Sequence, residues 1–205
     1  MSSKFQFWYD FASPYSFLSA MRIDGLSTAA GVRVEWRPFL LGPIFKSSGW
    51  DTSPFNIYEA KGRYMWRDVG RRSAKYGVSF RRPSEFPRNG VLASRIAIAF
   101  ESNERRALYS KLVFSANFTE DRDISDESVL ASLLESLGEG PGRIVSAALS
   151  QYNRGRLRLA TEEAAGKGIF GAPSFLAGEE LFWGDDRLED ALEWFMRSVE
   201  SADGR

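Results

Sequence analysis

The sequence predicts an α/β fold in which a small sheet-forming frame is interrupted by a large all-helical block. Three observations carry that expectation. Phe5-Gln6-Phe7-Trp8-Tyr9 is a short aromatic run of high strand propensity, with the composition of a central strand covered on both faces. From about Phe39 to Lys167 the apolar residues recur at helical spacing, with no convincing strand among them. Strand character returns at Pro173–Ala177, so the order is β-α-β, a helical block, then β-β-α.

Each element has its own local reason. Ser13-Pro14 reads as a helix start, with Ser at the N-cap and Pro at the first helical position, where its missing N–H costs nothing. That helix runs to about Ala30 with Leu18, Met21 and Leu26 inward, and Gly31 closes it. Val32–Arg37 alternates apolar and charged residues, as a strand with one wet face does, and Pro38 ends it. A helical crossover between these two strands implies parallel pairing. In the block that follows, helices are expected at about Asn56–Tyr76, Asn89–Phe100, Glu104–Phe118, Ser125–Leu137 and Arg143–Gly166. Turns at Ser53-Pro54, Gly77, Arg82-Pro83, Phe86-Pro87, Gly138 and Gly140-Pro141-Gly142 separate them. Pro173–Ala177 and Leu181–Trp183, joined by Gly178-Glu179-Glu180, read as a hairpin. A last helix from about Arg187 to Ser198 turns Leu188, Leu192 and Phe195 inward. Residues 1–38 and 168–205 then form one small α/β domain, and 39–167 is its helical insertion.

Composition narrows the chemistry. The chain has 27 Lys plus Arg and 27 Asp plus Glu, so the positive field that holds nucleic acid is absent. No apolar run approaches the ~20 residues a membrane span requires. Phe5–Phe11 is broken by Gln6 and Asp10 and lacks a signal-peptide pattern, so a cytoplasmic location is the default expectation. There is no Cys and no His. Disulfides, Cys-based metal sites, intrinsic thiol redox, a Ser–His–Asp triad and His-ligated metals are excluded. No Asp-rich loop with calcium-binding spacing is present either, so no metal is expected. Either the chemistry uses Ser, Tyr, Lys or carboxylates, or the reactive group arrives with a cofactor.

The strand-to-helix turn is where such a group would be received. Ser13 should sit beside free backbone donors at the positive end of a helix dipole, which suits an anion. A hydroxyl has one donor and two acceptor lone pairs, so Ser13 can cap its helix and still donate to a ligand.

Asp10-Phe11-Ala12-Ser13-Pro14-Tyr15-Ser16 resembles the active-site opening of the 2-hydroxychromene-2-carboxylate isomerase and kappa-class glutathione transferase group. Four further stretches agree in order across nearly the whole chain. They are Arg37-Pro38 continuing to Leu41-Gly42, Lys61-Gly62-Arg63-Tyr64-Met65, Gly168-Ile169-Phe170-Gly171-Ala172-Pro173, and Phe182-Trp183-Gly184-Asp185-Asp186-Arg187. The last resembles the isomerases more than the transferases. The resemblance implies a thioredoxin fold carrying the helical insertion of DsbA proteins, with glutathione as cofactor, and a homodimer. Ser13 then stands where DsbA-type oxidoreductases have a redox cysteine, and glutathione brings in the thiol.

The same resemblance implies further roles. Ser13 would stabilise the glutathione thiolate, and cis-Pro173 would present the backbone of Ala172 to the cysteinyl residue as an added strand. Lys61 would meet a glutathione carboxylate, Asp185 and Asp186 the γ-glutamyl ammonium, and Trp183 would sit with them at the cofactor site. Without the resemblance, Asp185 and Asp186 read as acids favoured by a helix dipole, and Lys61 as a surface lysine. Many relatives carry an asparagine directly after the Ser-Gly that follows Phe-Lys. Here Trp50 holds that position, and Asn56 is expected to substitute. Arg63, Arg67, Arg71 and Lys75 form a basic helical stripe, usually a solvated face, part of which can steer a carboxylate.

The leading expectation is a glutathione-dependent cis–trans isomerase of a small aromatic keto-acid of the hydroxychromene-carboxylate type. A kappa-like transferase or dehalogenase, and a non-catalytic thioredoxin-fold module that holds glutathione or a peptide, remain open beside it.

Overall fold

The aromatic run at the start does form the central strand. In a computed structural model that describes residues 4–203, β1 (Phe5–Tyr9) lies between β2 (Val34–Pro38), with which it is parallel, and β3 (Ser174–Ala177), with which it is antiparallel. β4 (Glu180–Trp183) completes the sheet in the order β2-β1-β3-β4. Alternation along β1 sends Phe5, Phe7 and Tyr9 into the larger core and Trp8 into a smaller one on the opposite face. Phe7 meets Trp36 edge-on at 4.9 Å and stacks with Phe175 at 5.6 Å, joining three strands through one ring. On the other face Trp8 packs with Phe39, Ile169 and Leu176.

α1 (Pro14–Ala29) crosses from β1 to β2, starting at Ser13 and ending before Gly31, whose φ of 65° makes the left-handed exit. Between β2 and β3 the chain is helical: α2 (Leu41–Ser47), α3 (Pro54–Ile57), α4 (Glu59–Tyr76), α5 (Val91–Ala99), α6 (Asn103–Phe118), α7 (Glu127–Ser136), α8 (Pro141–Leu149) and α9 (Gln151–Gly166). After β4 a short 3₁₀ turn at Asp185–Arg187 leads into α10 (Leu188–Asp203). The helical block shares the sheet's core: Ile96, Phe114 and Leu134 belong to one buried cluster with Phe7, Trp36 and Phe175. No helix of the described residues is long and apolar enough to cross a membrane.

Three helix expectations are corrected by local geometry. The helix expected from Asn56 to Tyr76 is broken at Tyr58, which adopts φ −108° and ψ 95°. α3 folds back so closely that a Cβ on Gly62 would lie 2.4 Å from the Phe55 carbonyl oxygen, an approach only glycine permits. The helix expected from Arg143 to Gly166 is two helices, because Ser150 leaves helical geometry and accepts the Asn153 amide as the N-cap of α9. α2 lies outside the helices that the apolar spacing predicts. Pro43 falls in the first turn of α2, where amides lack intrahelical partners and a missing N–H is tolerated. At α7 the cap is Asp126, one residue past the Ser125 expected, and Ser125 instead donates to Asp123.

Because Phe7 is fully buried and touches the rings of both neighbouring strands, Phe7→Ala should destabilise the fold by about 3–5 kcal/mol. Urea denaturation should show a lowered midpoint with an unchanged slope.

Candidate active site

The turn after β1 is held from several sides. Ser13, the N-cap of α1, is nearly fully buried and accepts the Ser16 amide on its Oγ at 3.1 Å. Its hydroxyl donates to the Ala172 carbonyl at 2.8 Å, across 159 residues of sequence. Ala172 precedes Pro173 through a cis peptide bond, as expected. The Gly184 amide donates to the Pro173 carbonyl at 3.0 Å, which fixes the far side of that loop. Ser13 therefore caps and donates at once, and in this structure its donor is directed at the backbone across the site.

Asp10 is a site residue that the sequence reading passed over. Its carboxylate accepts the amides of Ala12 at 2.8 Å and Leu41 at 2.7 Å, clasping the β1–α1 turn to the start of α2. Burial pushes this carboxyl above its ordinary value, against the pull of the two amides. The signal was available, because an Asp two residues before a turn amide is a common local acceptor.

Around this turn opens a cavity of about 1130 Å³. It brings together Ser13, Lys61, Ala172, Pro173, Trp183, Asp185 and Asp186 from distant parts of the chain. Asn56 does not line it. That amide donates to Thr52 at 3.2 Å on the exposed side of α3, while Thr52 and Phe55 face the cavity. Lys61 is exposed, with its Nζ 4.6 Å from the Tyr58 ring centroid. Trp183 lies 4.8 Å from Phe170, ring to ring, and covers Gly171 so closely that a Cβ there would fall 2.2 Å from the indole Nε1.

The two neighbouring acids have opposite surroundings. Asp185 is 1% exposed; its carboxylate accepts from Ser19 Oγ at 3.1 Å, Arg22 at 3.3 Å and Arg72 Nε at 2.7 Å. Burial pushes its carboxyl up, opposed by Arg72, Arg22 and Ser19. On Arg72, burial acts downward, but the bond to Asp185 and the charges of Asp185, Tyr76 and Asp186 together outweigh it and hold the guanidinium above its ordinary value. We read the pair as ionised, since each oxygen has a charged donor. The Asp186 side chain, by contrast, is 50% exposed and pairs with Arg187 at 3.1 Å.

α4 presents Lys61, Tyr64, Asp68 and Arg72 to the cavity, a run spaced three, four and four residues apart. The basic stripe of Arg63, Arg67, Arg71 and Lys75 lies one residue round the helix and faces solvent. Its cavity-facing neighbours were legible by the same periodicity. Tyr15 donates to Asp68 at 3.0 Å, and burial together with that carboxylate raises its phenol well above the ordinary value.

A sequence model described as the DSBA-like thioredoxin domain matches residues 4–194. A 2-hydroxychromene-2-carboxylate isomerase of Pseudomonas putida is 30% identical, over 97% of this chain and 93% of that protein. Glutathione S-transferase kappa 1 of Rattus norvegicus is 24% identical, over 90% of this chain and 87% of its own. The solved structure of a 2-hydroxychromene-2-carboxylate isomerase superposes with a TM-score of 0.87 at 25% identity, covering 98% of both chains.

Asp185→Ala should leave Arg22 and Arg72 without their shared buried carboxylate and cost about 3–5 kcal/mol. Asp186→Ala, at a half-exposed position, should stay within about 0.5 kcal/mol of the parent. Parallel thermal and urea melts at neutral pH check the contrast.

Proposed function

We propose that this chain, which belongs to the DSBA-like thioredoxin domain family and within it to the 2-hydroxychromene-2-carboxylate isomerase family, is a glutathione-dependent cis–trans isomerase of a small aromatic keto-acid. One observation carries the reading: a buried Ser13 hydroxyl at the start of α1, 2.8 Å from the Ala172 carbonyl, in a chain with no cysteine of its own.

The donor set fits glutathione. Lys61 supplies a cation for a carboxylate and Asp186 an anion for the ammonium, while the Ala172 backbone beside Pro173 can pair with a peptide. All of them border one cavity. Asp185, saturated by Ser19, Arg22 and Arg72, anchors the loop that carries Asp186 rather than touching the ligand. Asn56 has no part in this reading.

Glutathione, when bound, supplies the thiolate that adds to the conjugated keto-acid and leaves again, so the thiol is regenerated. A free thiol, with a pKa near ~8.5, is only a few per cent thiolate at neutral pH. The chain's contribution is to change that. Ser13 turns its O–H from the Ala172 carbonyl to the arriving sulfur while its oxygen continues to accept the Ser16 amide. The dipole at the α1 N-terminus favours the same anion. Phe45, Trp50, Tyr64 and Phe170, all bordering the cavity, form the apolar surface for an aromatic acceptor.

Ser13→Ala should bind glutathione nearly as well as the parent, yet raise the bound thiol's pKa by about 1–2, as loss of one hydrogen bond to an anion requires. Loss of the cap should lower stability by about 1 kcal/mol. Turnover of a hydroxychromene carboxylate should drop roughly 10²-fold. Ultraviolet absorbance of the bound thiolate against pH measures the first effect. Free thiol should stay constant during turnover, whereas a transferase would consume it. Unchanged turnover in Ser13→Ala, or no binding at millimolar glutathione, would sink the proposal.

A further inference from the structure

The cavity wall before α5 contains a buried cation that the proposed chemistry does not use. Arg88 lies between the cis Phe86–Pro87 segment and α5, with its side chain 3% exposed. Its Nη1 donates to the Asn117 side-chain Oδ1 at 3.1 Å and the Arg122 carbonyl at 2.9 Å. Its Nη2 donates to Asp121 Oδ1 at 2.5 Å and Ser84 Oγ at 3.1 Å. Asp121 also accepts the Ser84 amide at 2.8 Å, and these bonds hold its carboxyl down at about 2. Arg88 Nε is buried without an acceptor, so the side chain is not merely satisfied in place.

What this cation fixes is the orientation of one amide. Arg88 has only donors, so the Asn117 oxygen must face it and the Asn117 nitrogen must face away. That nitrogen donates to the Phe11 carbonyl at 3.0 Å, two residues before Ser13, and Asn117 is itself 1% exposed. Gly90, two residues after Arg88, closes on the same turn: a Cβ there would lie 3.1 Å from Phe11 Cβ. The Phe11–Ser13 turn is thus gripped by Asp10 on its amides and by Asn117 on its carbonyl.

We infer that Asn117, oriented by Arg88 and Asp121, is a positioning residue that sets where the Ser13 hydroxyl stands relative to the sulfur it activates. The inference rests on the role proposed for Ser13. It assigns to the helical block a direct part in tuning the thiolate: α6 carries Asn117, and the wall before α5 carries Arg88.

Two variants test it. Asn117→Asp keeps an acceptor for Arg88 but sets an oxygen against the Phe11 carbonyl. Arg88→Lys keeps the charge but loses the fork that orients Asn117. Each variant is compared with the parent for the pKa of bound glutathione, read by thiolate absorbance. Affinity for S-methylglutathione, which has no thiol proton, is measured by calorimetry. Exchange of the Ser13 and Ser16 amides is followed in the unliganded protein. The expected result is a bound-thiol pKa raised by about 1, equivalent to a tenfold change in ionisation, with S-methylglutathione affinity unchanged within error and faster amide exchange at the turn.

A thiol pKa equal to the parent's in folded variants overturns the inference. So does S-methylglutathione affinity falling in step with the pKa, since the grip would then shape the whole cavity. Failure of both variants to fold assigns Arg88 and Asn117 to folding alone, and overturns it too. If the parent itself leaves the thiol pKa at its free value, the Ser13 reading fails instead, and amide exchange alone decides whether the grip exists.

Discussion

The antiparallel pairing of β1 with β3 is the constraint on which the site depends. Phe5 to Trp8 lie opposite Ala177 to Ser174, so the chain leaving β1 and the chain entering β3 emerge at the same end of the sheet. Ser13 and Ala172 are thereby brought to hydrogen-bond distance, although 159 residues separate them. Neither loop builds the site alone. The core rings of Phe7, Trp36 and Phe175 hold the register, because a slip of one residue would reverse every inward and outward side chain of β1.

Upon that frame the helical block acts as a set of braces. α2 offers its first amide to Asp10, α6 offers Asn117 to Phe11, and α4 offers Arg72 to Asp185. All three contacts anchor segments that border the cavity, and all three come from elements inserted between β2 and β3. A thioredoxin-like sheet brings the two ends of the site together, while the insertion braces them. Such bracing matters because the Ser13–Ala172 hydrogen bond, like any other, weakens steeply with misplacement.

Polar groups divide their duties by burial. Asp185 and Asp186 are neighbours in sequence, yet one is enclosed by two arginines and a serine and the other reaches the cavity half exposed. Enclosed carboxylates hold loops because leaving their partners unpaired is costly. Exposed ones remain available to a ligand. Ser13 joins two segments through one hydroxyl, its oxygen accepting the Ser16 amide and its proton donated to the Ala172 carbonyl.

The amino-acid sequence by itself determined the features that depend on neighbours along the chain. The aromatic central strand, the Ser13-Pro14 helix start, the hairpin at Pro173–Trp183 and the lack of any thiol in the chain were all readable there. So were Ser13, Lys61, Ala172, Pro173, Trp183, Asp185 and Asp186 at the cavity, through the matching stretches. Only the tertiary structure decided the rest. The break at Tyr58 depends on a carbonyl of α3 meeting Gly62, and the difference between Asp185 and Asp186 depends on arginines from α1 and α4. The removal of Asn56 from the cavity and the grip of Asn117 on Phe11, 106 residues away, are of the same kind. Caps, turns and periodicity act over a few residues, whereas which polar group is buried, and against what, is set by packing between distant segments.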